Sequence, residues 1–134
     1  MKLKEVIASV DVIRVQGNTD IDITGIQIDS RLIEKGSMFI AVKGNVADGH
    51  SFINNAIEKG AVAVVCEHLP ELIHDDVCYV CVNNAEQCTG LIATNFYEDP
   101  TSFLELIGVT GTNGKTTIAT LLYKLFRAMG YKVG

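Results

Sequence analysis

The chain has 134 residues, 48% of them apolar, with 16 acidic against 11 basic side chains and a formal net charge of −5. That suffices for one ordinary domain with an ample core, excludes the composition of a disordered chain, and argues against a nucleic-acid-binding face. No stretch nears the roughly 20 apolar residues of a membrane helix, the longest dense run being Ala61–Cys66, so no membrane insertion is expected.

At the N-terminus, M-K-L-K-E-V-I-A-S-V-D is interrupted by Glu5 and Asp11. It lacks the apolar run of a signal peptide, and the expected location is cytoplasmic. Leu3, Val6 and Ile7 share one side of a predicted helix over 2–9. I-D-I-T-G-I-Q-I (21–28) alternates as a strand, with Gly25 marking a bulge. S-M-F-I-A-V (37–42), between Gly36 and Gly44, is a second strand.

Ser51 is placed to cap a helix over Phe52–Lys59 that Gly60 stops. A-V-A-V-V-C (61–66) and V-C-Y-V-C-V (77–82) are continuous apolar runs, the kind found where both faces of a sheet are covered. Asn83, with Glu86 three residues on, opens a helix to about Tyr97. Pro100, in E-D-P-T-S, sets a boundary. L-E-L-I-G-V-T (104–110) reads as a further strand. Beyond a glycine-rich turn lies a helix from about Lys115 to Met129, with Ile118, Leu121, Leu122, Leu125, Phe126 and Met129 at helical spacing. Gly130 ends it, and Y-K-V-G begins another strand.

The pattern predicts an α/β fold: a small domain over 1–98, then the opening strand, loop and helix of a second over 99–134. A lone strand–helix unit leaves its faces without partners, so the C-terminus reads as a truncation point. Of the four cysteines, Cys78 and Cys81 have CxxC spacing. They lie within one strand, where an odd separation sends the thiols to opposite faces. With no second pair at ligand spacing, Cys66, Cys78, Cys81 and Cys88 are expected to be reduced core residues.

G-V-T-G-T-N-G-K-T-T (108–117) carries the chemistry. A strand, a glycine-rich turn and a helix start form the context of a phosphate-binding loop. There, successive N–H groups and the helix N-terminus point at phosphate oxygens. Lys115 would reach the β/γ-phosphates and the Thr116 hydroxyl would hold Mg²⁺, while Gly111 and Gly114 permit close approach and positive φ. The general spacing G-x-x-x-x-G-K-[ST] asks for glycine at position 109, which is Val109. A glycine-rich turn with an exposed lysine is the plainer reading. Even as a phosphate loop it leaves kinases, GTPase switches, motor ATPases, ligases and simple binding modules open.

As a whole, G-T-N-G-K-T-T resembles the ATP loop of the Mur ligase family, which writes G-T-N ahead of G-K-T; related folyl-polyglutamate synthetases share the loop style. Upstream, D-S-R (29–31), K-G-S-M-F-I-A-V-K-G (35–44) and D-G-H-S-F-I (48–53) resemble that family's N-terminal UDP-binding domain. They are closest in style to the members that add the third amino acid of the peptide, with the members that add the terminal dipeptide as the alternative.

The resemblance implies ATP-dependent amide-bond formation in peptidoglycan precursor synthesis. ATP and Mg²⁺ would be the cofactors, and UDP-MurNAc-L-Ala-D-Glu with diaminopimelate or lysine the substrates, joined through an acyl phosphate by a monomeric enzyme. It assigns Gly111, Thr112, Asn113, Gly114, Lys115, Thr116 and Thr117 to ATP, with Lys115 catalytic and Thr116 at Mg²⁺. It assigns Ile28, Ser30, Asn45, Val46 and Ala47 to the UDP moiety. Without it, Ser30 reads as a turn-stabilising hydroxyl, Asp29 and Arg31 as a local ion pair, His50 as a turn residue, and His68 and His74 as solvated. The chain alone is expected to bind the UDP substrate and not to catalyse.

Overall fold

The apolar runs around Met38, Val64 and Val80 become the middle of a five-stranded sheet in the computed structural model, which describes residues 1–44, 47–99, 102 and 104–134. The strands are β1 (Val12–Gln16), β2 (Gly25–Gln27), β3 (Ser37–Ile40), β4 (Ala63–Cys66) and β5 (Cys78–Val82), in spatial order β1-β5-β4-β3-β2. From β2 to β5 all neighbours are parallel, and β1 closes one edge antiparallel to β5. The predicted α/β class is the observed one.

Period-two alternation sorts the strand side chains into two cores. One face holds Met38, Ile40, Ala63, Val65, Cys78, Val80 and Val82 beneath α1 (Leu3–Val6) and α3 (Ala85–Phe96). The other holds Phe39, Ala41, Val64, Cys66, Tyr79 and Cys81 against α2 (Ile53–Glu58) and the 67–77 connection. Every residue of β3, β4 and β5 is buried. Two covered faces explain why these strands read as continuous apolar runs. Cys78 and Cys81 lie in opposite cores and all four cysteines are free thiols, as the spacing predicts.

Tertiary pairing overrode several local expectations. β1 had no strand signature, because an edge strand with Ile13 60% exposed needs no apolar face. The bulge falls in β1, between Val12 and Arg14, and Gly25 sits in regular register opposite Ser37. The strand expected over 21–28 contracts to Gly25–Gln27. Its first half pairs instead with the N-terminal residues, Leu3 donating to Ile21 and Ile23 to Met1.

Ser51 caps nothing. It lies inside a 3-10 turn, Gly49–Phe52, whose capping side chain is Asp48, accepting from the His50 N–H. The cap of α3 is Asn84, not Asn83, with its Oδ1 2.9 Å from the Gln87 nitrogen. Asn84 and Gln87 carry the same N-x-x-[EQ] signal one residue along.

Met1–Pro100 and Thr101–Gly134 form separate units. In the second, α4 (Lys115–Ala128) matches the predicted helix, and Gly130 follows it at φ 91°. The strands expected over 104–110 and 131–134 do not form. Leu104, Leu106 and Ile107 stay 58–75% exposed, because a strand exists only as part of a ladder and none forms on these residues. The boundary expected at Pro100 lies outside the described residues.

Candidate functional site

The parallel strands β2 and β3 deliver their following residues to the same end of the sheet, the carboxyl end, where open α/β sheets bind ligands. After β2 comes Ile28, then a 3-10 turn at Ser30–Leu32. After β3 comes a loop that folds back on itself. The Gly44 N–H donates to the Ala47 carbonyl at 3.0 Å, the Gly49 N–H to the Val42 carbonyl at 2.9 Å, and Lys43 pairs with Asp48. Gly49 is required there, since a Cβ would lie 2.6 Å from the Val42 carbonyl oxygen.

Between the two segments lies a cleft of about 550 Å³, lined by Ile28, Asp29, Ser30, Arg31, Val42, Gly44, Ala47, Gly49 and Phe52. Its volume suits a small ligand. Three residues expected at the UDP moiety, Ile28, Ser30 and Ala47, therefore meet in one cleft; Asn45 and Val46 lie outside the described residues. Ile28 and Phe52 present exposed apolar surface, 61% and 43% accessible, suited to the face of a planar ring.

Ser30 is 6% exposed. The turn it opens is capped by Asp29, whose Oδ1 accepts from the Arg31 N–H at 2.9 Å. That removes the turn-stabilising reading of Ser30, whose hydroxyl makes no hydrogen bond among the described residues. It can both donate and accept. Asp29 and Arg31 form the expected local ion pair, Nη2 to Oδ2 at 2.7 Å. The Arg31 side chain and its backbone N–H hold the Asp29 carboxyl at a pKa of about 2.

His50 is more than a turn residue. Its side chain is 7% exposed. Nδ1 lies 2.6 Å from Asp48 Oδ1, Nε2 lies 2.9 Å from the Glu67 nitrogen, and the ring stacks on His68 with centroids 4.1 Å apart. Hydrogen bonds from the His50 backbone and ring hold Asp48 below the usual carboxylate range. His68 is exposed as expected, though stacked; the half-buried His74 donates its N–H to the Tyr79 hydroxyl.

In the second unit the glycine loop turns into α4 at Gly114, which is left-handed at φ 76°. Gly111 also has positive φ, 149°. Lys115 folds back so that Nζ donates to the Gly111 carbonyl. The Thr116 hydroxyl makes no hydrogen bond among the described residues, while Thr120 bonds the Thr116 carbonyl at 2.7 Å. A Cβ at Gly114 would meet no atom within 4 Å, so it is the left-handed φ and not crowding that favours glycine there.

Comparison with known proteins decides the family. The sequence profile of the Mur ligase family, catalytic domain, matches residues 22–97. The chain belongs to the Mur ligase family. A UDP-N-acetylmuramoyl-L-alanyl-D-glutamate–2,6-diaminopimelate ligase from Phocaeicola vulgatus is 58% identical over 134 residues, all of this chain. This Mur ligase chain spans 28% of that relative's length.

Among solved structures, MurF from Acinetobacter baumannii matches 96% of the chain and 28% of its own, with a TM-score of 0.73 at 22% identity, a likeness of fold. MurF ligase from Thermotoga maritima, crystallised in complex with ADP, is 31% identical over 77% of this Mur ligase chain and 23% of its own, with a TM-score of 0.58.

Sequence reasoning missed Phe52, Gly49 and His50 as parts of this constellation. D-G-H-S-F contains all three, but nothing in their spacing reveals that a 3-10 turn brings Gly49 and Phe52 to the cleft with Ser30 and turns His50 toward Glu67.

Proposed function

We propose that this chain is the UDP-binding part, with the start of the ATP-binding part, of a cytoplasmic ligase that adds diaminopimelate to UDP-MurNAc-L-Ala-D-Glu. Support comes from relatives 42–58% identical over the whole chain that carry that name. The observation that carries the site reading is the convergence of Ile28, Ser30 and Ala47 on one cleft. In this reading residues 1–98 bind the UDP-sugar and 99–134 begin the ATP-binding domain. Ser30 hydrogen-bonds the uracil edge, Ile28 packs against the ring, and Asn45, Val46 and Ala47 follow the ribose and pyrophosphate.

The loop Gly111, Thr112, Asn113, Gly114, Lys115, Thr116 and Thr117 takes the ATP phosphates. Backbone N–H groups at the start of α4 cradle the anion, and Lys115 lies against the charge that builds on the transferring phosphoryl group. The residues present fit Mg²⁺. The Thr116 hydroxyl, an oxygen donor of the kind Mg²⁺ takes, makes no hydrogen bond among the described residues and stands in the first turn of α4, and Mg²⁺ is held by few protein ligands together with phosphate oxygens. When bound, Mg²⁺ supplies charge neutralisation to phosphoryl transfer. In the whole enzyme the carboxylate of D-Glu is activated as an acyl phosphate, and the incoming amine displaces phosphate.

The test is a titration of the chain with UDP and with UDP-MurNAc-L-Ala-D-Glu, followed by amide chemical shifts. Expected are saturable shifts at Ile28, Ser30 and Ala47. Shifts confined to the 111–117 loop, or none, would sink the uridine assignment.

A further inference from the structure

We propose that His50 is a positioning residue: a neutral imidazole, protonated at Nδ1, that ties the Gly49–Phe52 wall of the cleft to the end of the central strand β4. The inference rests on the reading of that cleft as the uridine site.

Its tautomer follows from hydrogen-bond roles alone. The backbone N–H of Glu67 can only donate, and it points at Nε2 from 2.9 Å, so Nε2 carries no proton. The proton therefore sits on Nδ1, 2.6 Å from Asp48 Oδ1, where a carboxylate can only accept. The same Asp48 oxygen also accepts the His50 backbone N–H at 2.9 Å. Asp48 and His50 thus fix each other, and the ring is closed off by His68 stacked parallel to it within 8°.

What the ring holds is the wall of the cleft. Gly49 and Phe52, both lining it, belong to the 3-10 turn that contains His50. Where the segment leaves β3 it is held by the Val42 N–H on the Ile40 carbonyl and the Ala41 N–H on the Val65 carbonyl; further along, the backbone hydrogen bonds of Gly44 and Gly49 stay within the loop, to Ala47 and Val42. Through the ring, the wall is anchored to the backbone one residue beyond β4, the middle strand of the sheet. Glu67 carries the anchor onward, because its Oε1 accepts the N–H of Ala85, the first residue of α3, at 3.1 Å. Sites held by rigid elements keep their geometry, and here the imidazole adds a side-chain link from the Gly49–Phe52 turn to the end of β4.

The test has two parts. Ring ¹⁵N shifts of the wild-type chain at pH 7.5 are expected to report a neutral imidazole protonated at Nδ1; a proton on Nε2 overturns the proposal. UDP is then titrated into His50→Ala, His50→Gln and His50→Asn. Gln places an acceptor near the position of Nε2, whereas Asn reaches only as far as Nδ1. Affinity is expected to fall about tenfold in His50→Ala and His50→Asn, and to stay within about threefold of wild type in His50→Gln.

Equal loss in Gln and Asn, or no loss in any variant, overturns the strut. Should the alanine variant fail to fold, the Gln–Asn comparison still decides. A wild-type chain that ignores UDP defeats the uridine reading, and the ring ¹⁵N shifts then judge the strut separately.

Discussion

Arg31 grips the carboxylate of Asp29 from two of its nitrogens, Nε at 2.9 Å from Oδ1 and Nη2 at 2.7 Å from Oδ2, on the rim of the cleft. The pair flanks Ser30 in sequence, and Ser30 lines the same cleft. Because the charged form of Asp29 is favoured in the fold, its folded pKa of about 2 lies below the ordinary aspartate value of 3.8. The pair's contribution is therefore present above pH 3.8 and is lost as pH falls through about 2. A carbonyl ¹³C titration should place the Asp29 midpoint near 2, and Arg31→Met should return it toward the ordinary range. A midpoint that ignores Arg31→Met would show that the pair does not form in solution.

Ser30→Ala separates binding from folding. The hydroxyl has no hydrogen-bond partner among the described residues, so stability should change by less than about 0.5 kcal/mol. Loss of one ligand hydrogen bond should weaken UDP binding by about 1 kcal/mol, roughly fivefold. Calorimetric titration alongside thermal melting reads both, and a large fall in melting temperature would restore the structural role.

Two glycines should respond in opposite directions. Gly49→Ala would drive a Cβ to 2.6 Å from the Val42 carbonyl oxygen and 2.8 Å from its nitrogen. Backbone cannot yield cheaply, and a cost of about 1–3 kcal/mol is expected, with weaker UDP binding. Gly90, exposed in α3, has nothing within 4 Å of an added Cβ. Gly90→Ala should stabilise by about 0.5–1 kcal/mol through helix propensity. Urea denaturation of the two variants checks both signs.

Burial, and then the neighbouring Cys81, push the Cys66 thiol up to about 12. Burial likewise raises Cys78 and Cys88. Thiolate is the reactive species, so a disulfide reagent at pH 8 should label these cysteines slowly in the folded chain and fully in denaturant. Rapid native labelling of Cys66 would mean that β4 and β5 open readily.

Lys115→Met in the full-length ligase should weaken ATP binding about ten- to hundredfold, the worth of a charge-assisted hydrogen bond, and leave UDP affinity unchanged. Displacement of a fluorescent ATP analogue measures it. Unaltered ATP affinity would return the loop to a plain glycine-rich turn.

The sequence by itself determined the parts whose pattern is local. The apolar runs of β3, β4 and β5, the opposite destinations of Cys78 and Cys81, the span of α4 and the glycine loop all follow from side-chain periodicity and backbone freedom at single residues. It also carried the family, through G-T-N-G-K-T-T and the upstream D-S-R and D-G-H segments.

Tertiary structure decided whatever depends on a partner distant in the chain. β1 exists because β5 offers it an edge, and 21–23 leave the sheet because the N-terminal residues compete for their hydrogen bonds. Residues 104–110 have strand composition and no ladder to join. Ser30 is freed by an Asp29 cap, and His50 is fixed by an N–H seventeen residues away. Hydrogen bonds between separated segments leave no period in a sequence, so the cleft became legible only when β2 and β3 lay side by side.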